Sequence, residues 1–226
     1  MMTLLEAIQA RHSVRRYHPG PLAPDVRQAI EAKVREVNAT AGLHVQLICD
    51  EPRAFTGVFA YGKFSGVTNY LVMAGPKAPD LDERIGYYGE QLVLLAQQLG
   101  LNTCWAGLSY RKVDDTYTLA DGEKICCYIA LGYGLTQGSA RKSKSAEQVS
   151  NVGPDSPQWF RDAIAAVLLA PTAINQQKFR FSYTGSGTCV IAHRLFSLVG
   201  YTQMDMGIAK LHFEIAAARP IEWIDK

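Results

Sequence analysis

The chain has 226 residues, 48% of them apolar and 19% charged, with a formal net charge of +2. That length suits one large domain or two small ones with a real core. The near-neutral balance lacks the clustered basic surplus of a nucleic-acid binder, so no nucleic-acid partner is expected. No run approaches the ~18–20 apolar residues of a membrane span. The first helix carries Glu6 and has no unbroken apolar stretch of a secretory leader, so the expectation is a cytoplasmic protein with no membrane partner. The cysteines at 49, 104, 126, 127 and 189 are odd in number and form no CxxC, which predicts buried free thiols. The histidines at 12, 18, 44, 193 and 212 show no ligand spacing, and no metal site is expected.

In chain order, Leu4–Ala10 reads as a short amphipathic helix, and His18-Pro19-Gly20-Pro21 closes that unit. A second helix is predicted from Asp25 to about Asn38, then a strand at His44–Cys49. Residues 50–68 are irregular and carry Phe55, Phe59, Tyr61 and Phe64. They could cover the acceptor side of a site or simply pack on their own aromatics. Asn69–Gly75 reads as a buried strand, Asp82–Leu99 as a long helix ended by Gly100, and Lys124–Gly132 as another strand. Residues 136–157 read as an exposed linker. Beyond it, Asp162–Val167 lies on a helix leading to strands at 179–181 and 189–192.

The order helix, strand, strand, helix occurs twice. Ile30 pairs with Ile164 (164 − 30 = 134) and Gly89 with Gly207 (207 − 89 = 118). A duplication is expected, with halves at 1–135 and 158–226 forming one compact unit. Two such halves can build in one chain an interface normally made by two identical subunits.

Four motifs carry candidate chemistry. Arg11, Ser13 and Arg15 stand at i, i+2, i+4, where two guanidinium forks and a hydroxyl suit a phosphomonoester. They could equally complement the dipole of the helix end. Pro171-Thr172-Ala173-Ile174-Asn175-Gln176-Gln177 offers amides that can read the mixed donor–acceptor edge of a heterocycle, or cap their own loop. Trp105-Ala106-Gly107 lets a backbone approach a planar ring closely. Arg141, Lys142 and Lys144 follow Gly132-Tyr133-Gly134 and could return to a phosphate, or form a solvated loop.

On these motifs, with His12 inside the first, the chain resembles the FMN-dependent nitroreductase family. The resemblance implies an α+β fold, with a central, mainly antiparallel sheet flanked by helices. It implies that Arg11, His12, Ser13 and Arg15 hold the FMN phosphate and ribityl chain. Pro171, Thr172, Asn175 and Gln177 would approach the isoalloxazine, and the backbone at Ala106 and Gly107 its N5. Arg141, Lys142 or Lys144 would close the phosphate site. NADH or NADPH would be the transient reductant and a small organic molecule (a nitroaromatic, quinone or similar) the acceptor, in ping-pong order. No catalytic side chain is assigned, because the cofactor carries the reaction. One departure is clear. In most of the family the Pro-Ser-x-x-x-Asn-x-Gln-like segment follows the first helix closely, whereas here it lies at 171–177. This resembles a branch in which two half-repeats in one chain imitate the usual homodimer, so a monomeric pseudo-dimer is expected, with a homodimer as the other option. A flavin or nucleotide binder without redox turnover remains the alternative.

Overall fold

The computed structural model describes residues 2–57 and 64–225. Helix α1 spans Leu4–Ala10. Thr3 caps it reciprocally: its Oγ1 accepts the Glu6 N–H at 3.2 Å, and Glu6 Oε2 accepts the Thr3 N–H at 2.7 Å. From Arg11 the backbone is extended (φ −69°, ψ 126°). The chain then runs parallel to a later strand, where the Val14 N–H donates to the Thr103 carbonyl at 3.0 Å.

Helix α2 (Pro24–Ala41) ends on Gly42 in the left-handed region. Strands β1 (Gln46–Ile48), β2 (Asn69–Pro76), β3 (Asn102–Ala106) and β4 (Glu123–Gly132) form one antiparallel sheet in the order β1-β2-β4-β3. Helix α3 (Leu81–Gln98) links β2 to β3. The short α4 (Ala146–Val149) precedes α5 (Gln158–Val167). A second sheet holds β5 (Phe179–Tyr183), β6 (Cys189–Arg194) and β7 (Glu222–Asp225), with α6 (Thr202–Ala217) between β6 and β7. The expected α+β architecture with mainly antiparallel strands is therefore observed. It is divided into two sheets, and β7 joins β6 in parallel.

The four-stranded sheet is buried on both faces. Leu71, Met73, Cys127, Ile129 and Leu131 join the helices in the main core. The alternate residues Tyr70, Val72, Tyr128 and Ala130 join Tyr17, Phe55 and Phe64 in a second cluster. This two-sided burial explains why β2 reads as a continuous apolar run. Phe55 and Phe64 lie with ring centroids 4.8 Å apart, and Phe55 packs edge-on to Tyr70 at 5.7 Å. Half of the aromatic segment thus packs on itself. Phe59 and Tyr61 lie outside the described residues.

The run 136–157 departs from an exposed linker. Residues 136–140 are exposed, but Arg141 is half-buried and Val149 and Ser150 are fully buried. Ser150 bridges to Phe181 of β5, which ties this segment to the second sheet.

Helices α3 and α6 make the most extensive helix–helix contact. Their backbones touch at glycines. A Cβ on Gly86 would stand 2.0 Å from the Met204 carbonyl oxygen, and one on Gly207 2.0 Å from that of Glu83. Gly86 thus meets the residue 118 positions on (204 − 86 = 118), the interval that also separates Gly89 from Gly207. Since backbone cannot yield, Gly86→Ala or Gly207→Ala should cost about 1–3 kcal/mol or more in urea unfolding. Gly153→Ala, where a Cβ meets nothing within 4 Å, should stay within about 0.5 kcal/mol of the parent.

Candidate functional site

A cavity of about 300 Å³ lies where four chain segments converge. Ser13 and Arg15 come from the extended run after α1. Trp105, Ala106 and Gly107 come from the end of β3 and the turn beyond. Pro171–Ile174 supply the third segment. Tyr201, Met204, Asp205 and Ile208 supply the fourth, at the start of α6. Six of the residues singled out in the sequence therefore share one cavity: Ser13, Arg15, Ala106, Gly107, Pro171 and Thr172. The i, i+2 spacing of Ser13 and Arg15 works because the chain is extended there, so alternate side chains share a face.

Gly107 does admit a planar ring, and the ring in contact is Tyr201. A Cβ at position 107 would come within 2.6 Å of Tyr201 Cζ. Tyr201 itself adopts a left-handed backbone (φ 60°) just before α6.

Arg11 is 3% exposed and turns into the interior. Its Nε stands 3.8 Å from Glu90 Oε1. Glu90, fully buried on α3, accepts from Trp105 Nε1 at 3.0 Å and faces His212 Nε2 at 3.0 Å. Arg11 Nε and Nη1 are buried without a hydrogen-bond partner, as is Arg141 Nε. Arg141 Nη2 donates to the Ala170 carbonyl at 2.5 Å, beside Pro171 on the cavity wall. Burial, then the nearby Arg11 charge, pulls Arg141 down to about 10. Burial, then the charges of Arg11 and Arg141, holds the His12 imidazole below its ordinary value. Arg11, after α1, and Arg141, beyond β4, thus lie near one carboxylate, and three of their donors lack an acceptor. Buried donors left this way are costly, and an anion would satisfy them. A phosphomonoester fits this donor set in charge and hydrogen-bonding capacity.

The other singled-out residues act within the protein. The Gln177 side chain is buried, and its amide is engaged throughout. Its Oε1 accepts from Lys144 N at 2.8 Å, and its Nε2 donates to Leu168 O at 3.1 Å and Ser143 Oγ at 3.3 Å. Lys144 Nζ returns a bond to Gln177 O at 2.7 Å. Asn175 Nδ2 donates to the Lys142 carbonyl at 2.6 Å, while its Oδ1 is buried without a partner. These contacts fasten the basic segment to the amide loop. They leave Gln177 no free group to read a ligand, and the exposed Lys142 contributes through its carbonyl.

The loop itself is strained. Ile174 (φ 45°), Asn175 (φ 58°) and Gln177 (φ 45°) are all left-handed without being glycine. Such conformations cost about 1–3 kcal/mol each and concentrate at ligand clamps. For a β-branched residue such as Ile174 the penalty is highest.

A family profile described as "Putative TM nitroreductase" matches residues 3–217. The chain belongs to this nitroreductase family. Among solved structures, a putative nitroreductase from Thermotoga maritima MSB8 is 23% identical. It covers 95% of this chain and 83% of its own, with a TM-score of 0.68. A putative nitroreductase in complex with FMN from Desulfovibrio desulfuricans is 18% identical, covering 68% and 96%, with a TM-score of 0.50. A putative NADH dehydrogenase/NAD(P)H nitroreductase from Parabacteroides distasonis is 19% identical, covering 65% and 95%, at 0.51. These likenesses are of fold. No curated protein matches the chain. No helix among the described residues is long and apolar enough to cross a membrane, and none of their His, Cys, Asp and Glu side chains cluster as metal ligands.

Within this nitroreductase, sequence reasoning missed Glu90, His212, Tyr201 and Asp205. Three of them lie on helices that read as ordinary amphipathic segments, and only folding brings them to the site. Gly89 was the available signal for Glu90's surroundings, since a Cβ there would meet the Trp105 ring at 2.5 Å. Asp205 is 3% exposed, and burial raises its carboxyl from 3.8 to about 6. Between these values the folded state binds more protons than the unfolded chain. The stabilisation is full below about pH 4 and is lost as pH rises through about 6, about 3 kcal/mol in all. Urea unfolding from pH 4 to 6.5 should show that decline, and Asp205→Asn should flatten it.

Proposed function

We propose that the protein binds one FMN per chain and passes electrons from NADH or NADPH to a small organic acceptor, a nitroaromatic, quinone or similar, in ping-pong order. The observation carrying this reading is the pair Arg11, buried, and Arg141, half-buried, whose side chains keep buried nitrogens without a partner, with Arg141 bonded to the Ala170 carbonyl next to cavity-lining Pro171. The FMN named with the Desulfovibrio relative and the NAD(P)H named with the Parabacteroides relative support it. Family membership supports the oxidoreductase class.

In this reading Arg11 and Arg141 neutralise the phosphate, with His12 neutral beside them. Ser13 and Arg15 follow along the same extended run toward the cavity. Ala106 and Gly107 present backbone to the ring, and Pro171, Thr172 and the neighbouring amide loop flank it. FMN, when bound, supplies the two-electron chemistry, and the protein's part is to bind, orient and exclude water. Lys178 beside the loop would favour the anionic reduced state.

A pseudo-dimer is part of the same reading, supported by the α3–α6 contact. The α2–β1–β2–α3 and α5–β5–β6–α6 units, joined by 136–157, would stand in for two subunits, meeting at the Gly86–Met204 contact. The counterpart of the amide loop at interval 134 is residues 37–43, where α2 continues through Ala41. No second amide loop forms there, which supports one flavin rather than two.

The purified protein should be yellow and release one FMN per chain. Protein that stays colourless after mixing with FMN and desalting would overturn the reading. Anaerobic NADH or NADPH should bleach it; a bound flavin that neither reductant bleaches identifies the passive binder instead. Arg11→Ala or Arg141→Ala should weaken FMN by about 1.5–3 kcal/mol, the range for hydrogen bonds to charged groups. Riboflavin, lacking phosphate, should bind these variants and the parent alike. A parallel loss for riboflavin would mean that the arginines support the fold rather than grip a phosphate.

A further inference from the structure

We propose that Asp205 is the positioning residue of the flavin-reading loop, holding Pro171–Gln177 in its strained shape from the first turn of α6. This rests on the flavin reading above and deepens it. Both carboxylate oxygens of Asp205 are spent on the loop. Oδ1 accepts the Ala173 N–H at 2.9 Å, and Oδ2 accepts from Gln176 Nε2 at 2.7 Å.

The loop needs such an anchor. Three of its residues sit in left-handed conformations, which Asn175 tolerates but Ile174 and Gln177 disfavour. Its own bonds are short-range turns: Asn175 N to Thr172 O at 2.9 Å, Gln176 N to Ala173 O at 3.0 Å, and Gln177 N to Thr172 Oγ1 at 3.2 Å. Asp205 grips between these turns, at Ala173 and Gln176, and so spans the left-handed pair 174–175. Gln176 Nε2 also donates to Gly200 O at 2.9 Å, which binds the loop to the turn before α6.

Asp205 is not explained as a surface or ion-pair residue. It is 3% exposed, lines the same cavity as Pro171, Thr172 and Ala173, and pairs with no cation among the described residues. Its raised pKa is the cost of that burial. Nor does it cap its own helix, because its oxygens point across to another segment. A carboxylate kept in such a place, with both acceptors aimed at one loop, fixes the loop's shape. The effect reaches the flavin ring through that loop, and not through the phosphate.

The test uses the full chain with Asp205→Ala, Asp205→Asn and Gln176→Ala. Hydrogen exchange is read at the Ala173 amide, and FMN and riboflavin affinities by fluorescence titration. In Asp205→Ala, Ala173 should exchange at least tenfold faster while the central amides of α6 are unchanged. FMN and riboflavin should weaken by a common factor of ten or more. Asp205→Asn, which keeps an acceptor for the Ala173 N–H, should recover most of both.

The proposal is overturned if Asp205→Ala exchanges and binds like the parent. It is also overturned if FMN alone weakens, or if Asn is as damaging as Ala. Should Asp205→Ala fail to fold, Gln176→Ala removes one of the two bonds and should weaken both ligands about threefold; no loss refutes the anchor. A parent protein that takes up no flavin sinks the functional reading instead, and exchange at Ala173 then decides the role of Asp205 alone.

Discussion

The backbone contact between α3 and α6 is the constraint on which the site depends. Gly86 and Gly207 let the two helices approach until carbonyl oxygens occupy the space of the missing Cβ atoms. That approach joins the first half of the chain to the second. It also sets Glu90 of α3 against His212 of α6, and brings the first turn of α6 to the end of β3. A wider crossing would separate the walls of the cavity, because two of its four segments belong to each half.

Charge inside this assembly is arranged in two different ways. Around Glu90, cationic groups exceed carboxylates, and guanidinium nitrogens lie buried without acceptors. Taking a charge out of water is expensive unless it is paired and hydrogen-bonded, so this cluster costs stability as it stands. At Asp205 the imbalance has the other sign. A lone carboxylate is buried against neutral donors, and its proton affinity rises accordingly. One region holds positive charge in excess of its carboxylates, and the other holds a carboxylate that accepts from a loop. The two are linked, because Arg141 donates to the Ala170 carbonyl just before the loop and Asn175 donates to the Lys142 carbonyl.

The candidate site was partly legible in the chain. Ser13 and Arg15 stood out by alternate spacing, and Gly107 by a glycine that no turn required; each reports a local backbone need. Gln177 and Lys144 were read as ligand contacts because amides and ammonium groups can serve either purpose. In the fold their bonds close on each other. Arg11 was legible as a cation but not as a buried one, since its burial is imposed by a helix some eighty positions later. Residues 136–157 looked like solvated linker from composition. Arg141 and Val149 nevertheless pack inward, because the second sheet offers a surface that the local sequence does not announce.

What the amino-acid sequence determined by itself was whatever has a short-range cause. This includes the helices and strands set by apolar period, the Thr3–Glu6 cap, the breaks at Pro and Gly, and the motifs that carry the family resemblance. Tertiary structure alone decided which segment supplies which wall of the cavity, that β7 adds in parallel to β6, that Tyr201 lies on Gly107, that Glu90 meets Arg11 and His212, and that Asp205 bonds to the loop at 173 and 176. The reason is physical. Periodicity and capping act over a few residues, whereas burial, charge pairing and loop anchoring depend on groups more than twenty positions apart, made neighbours only by the fold.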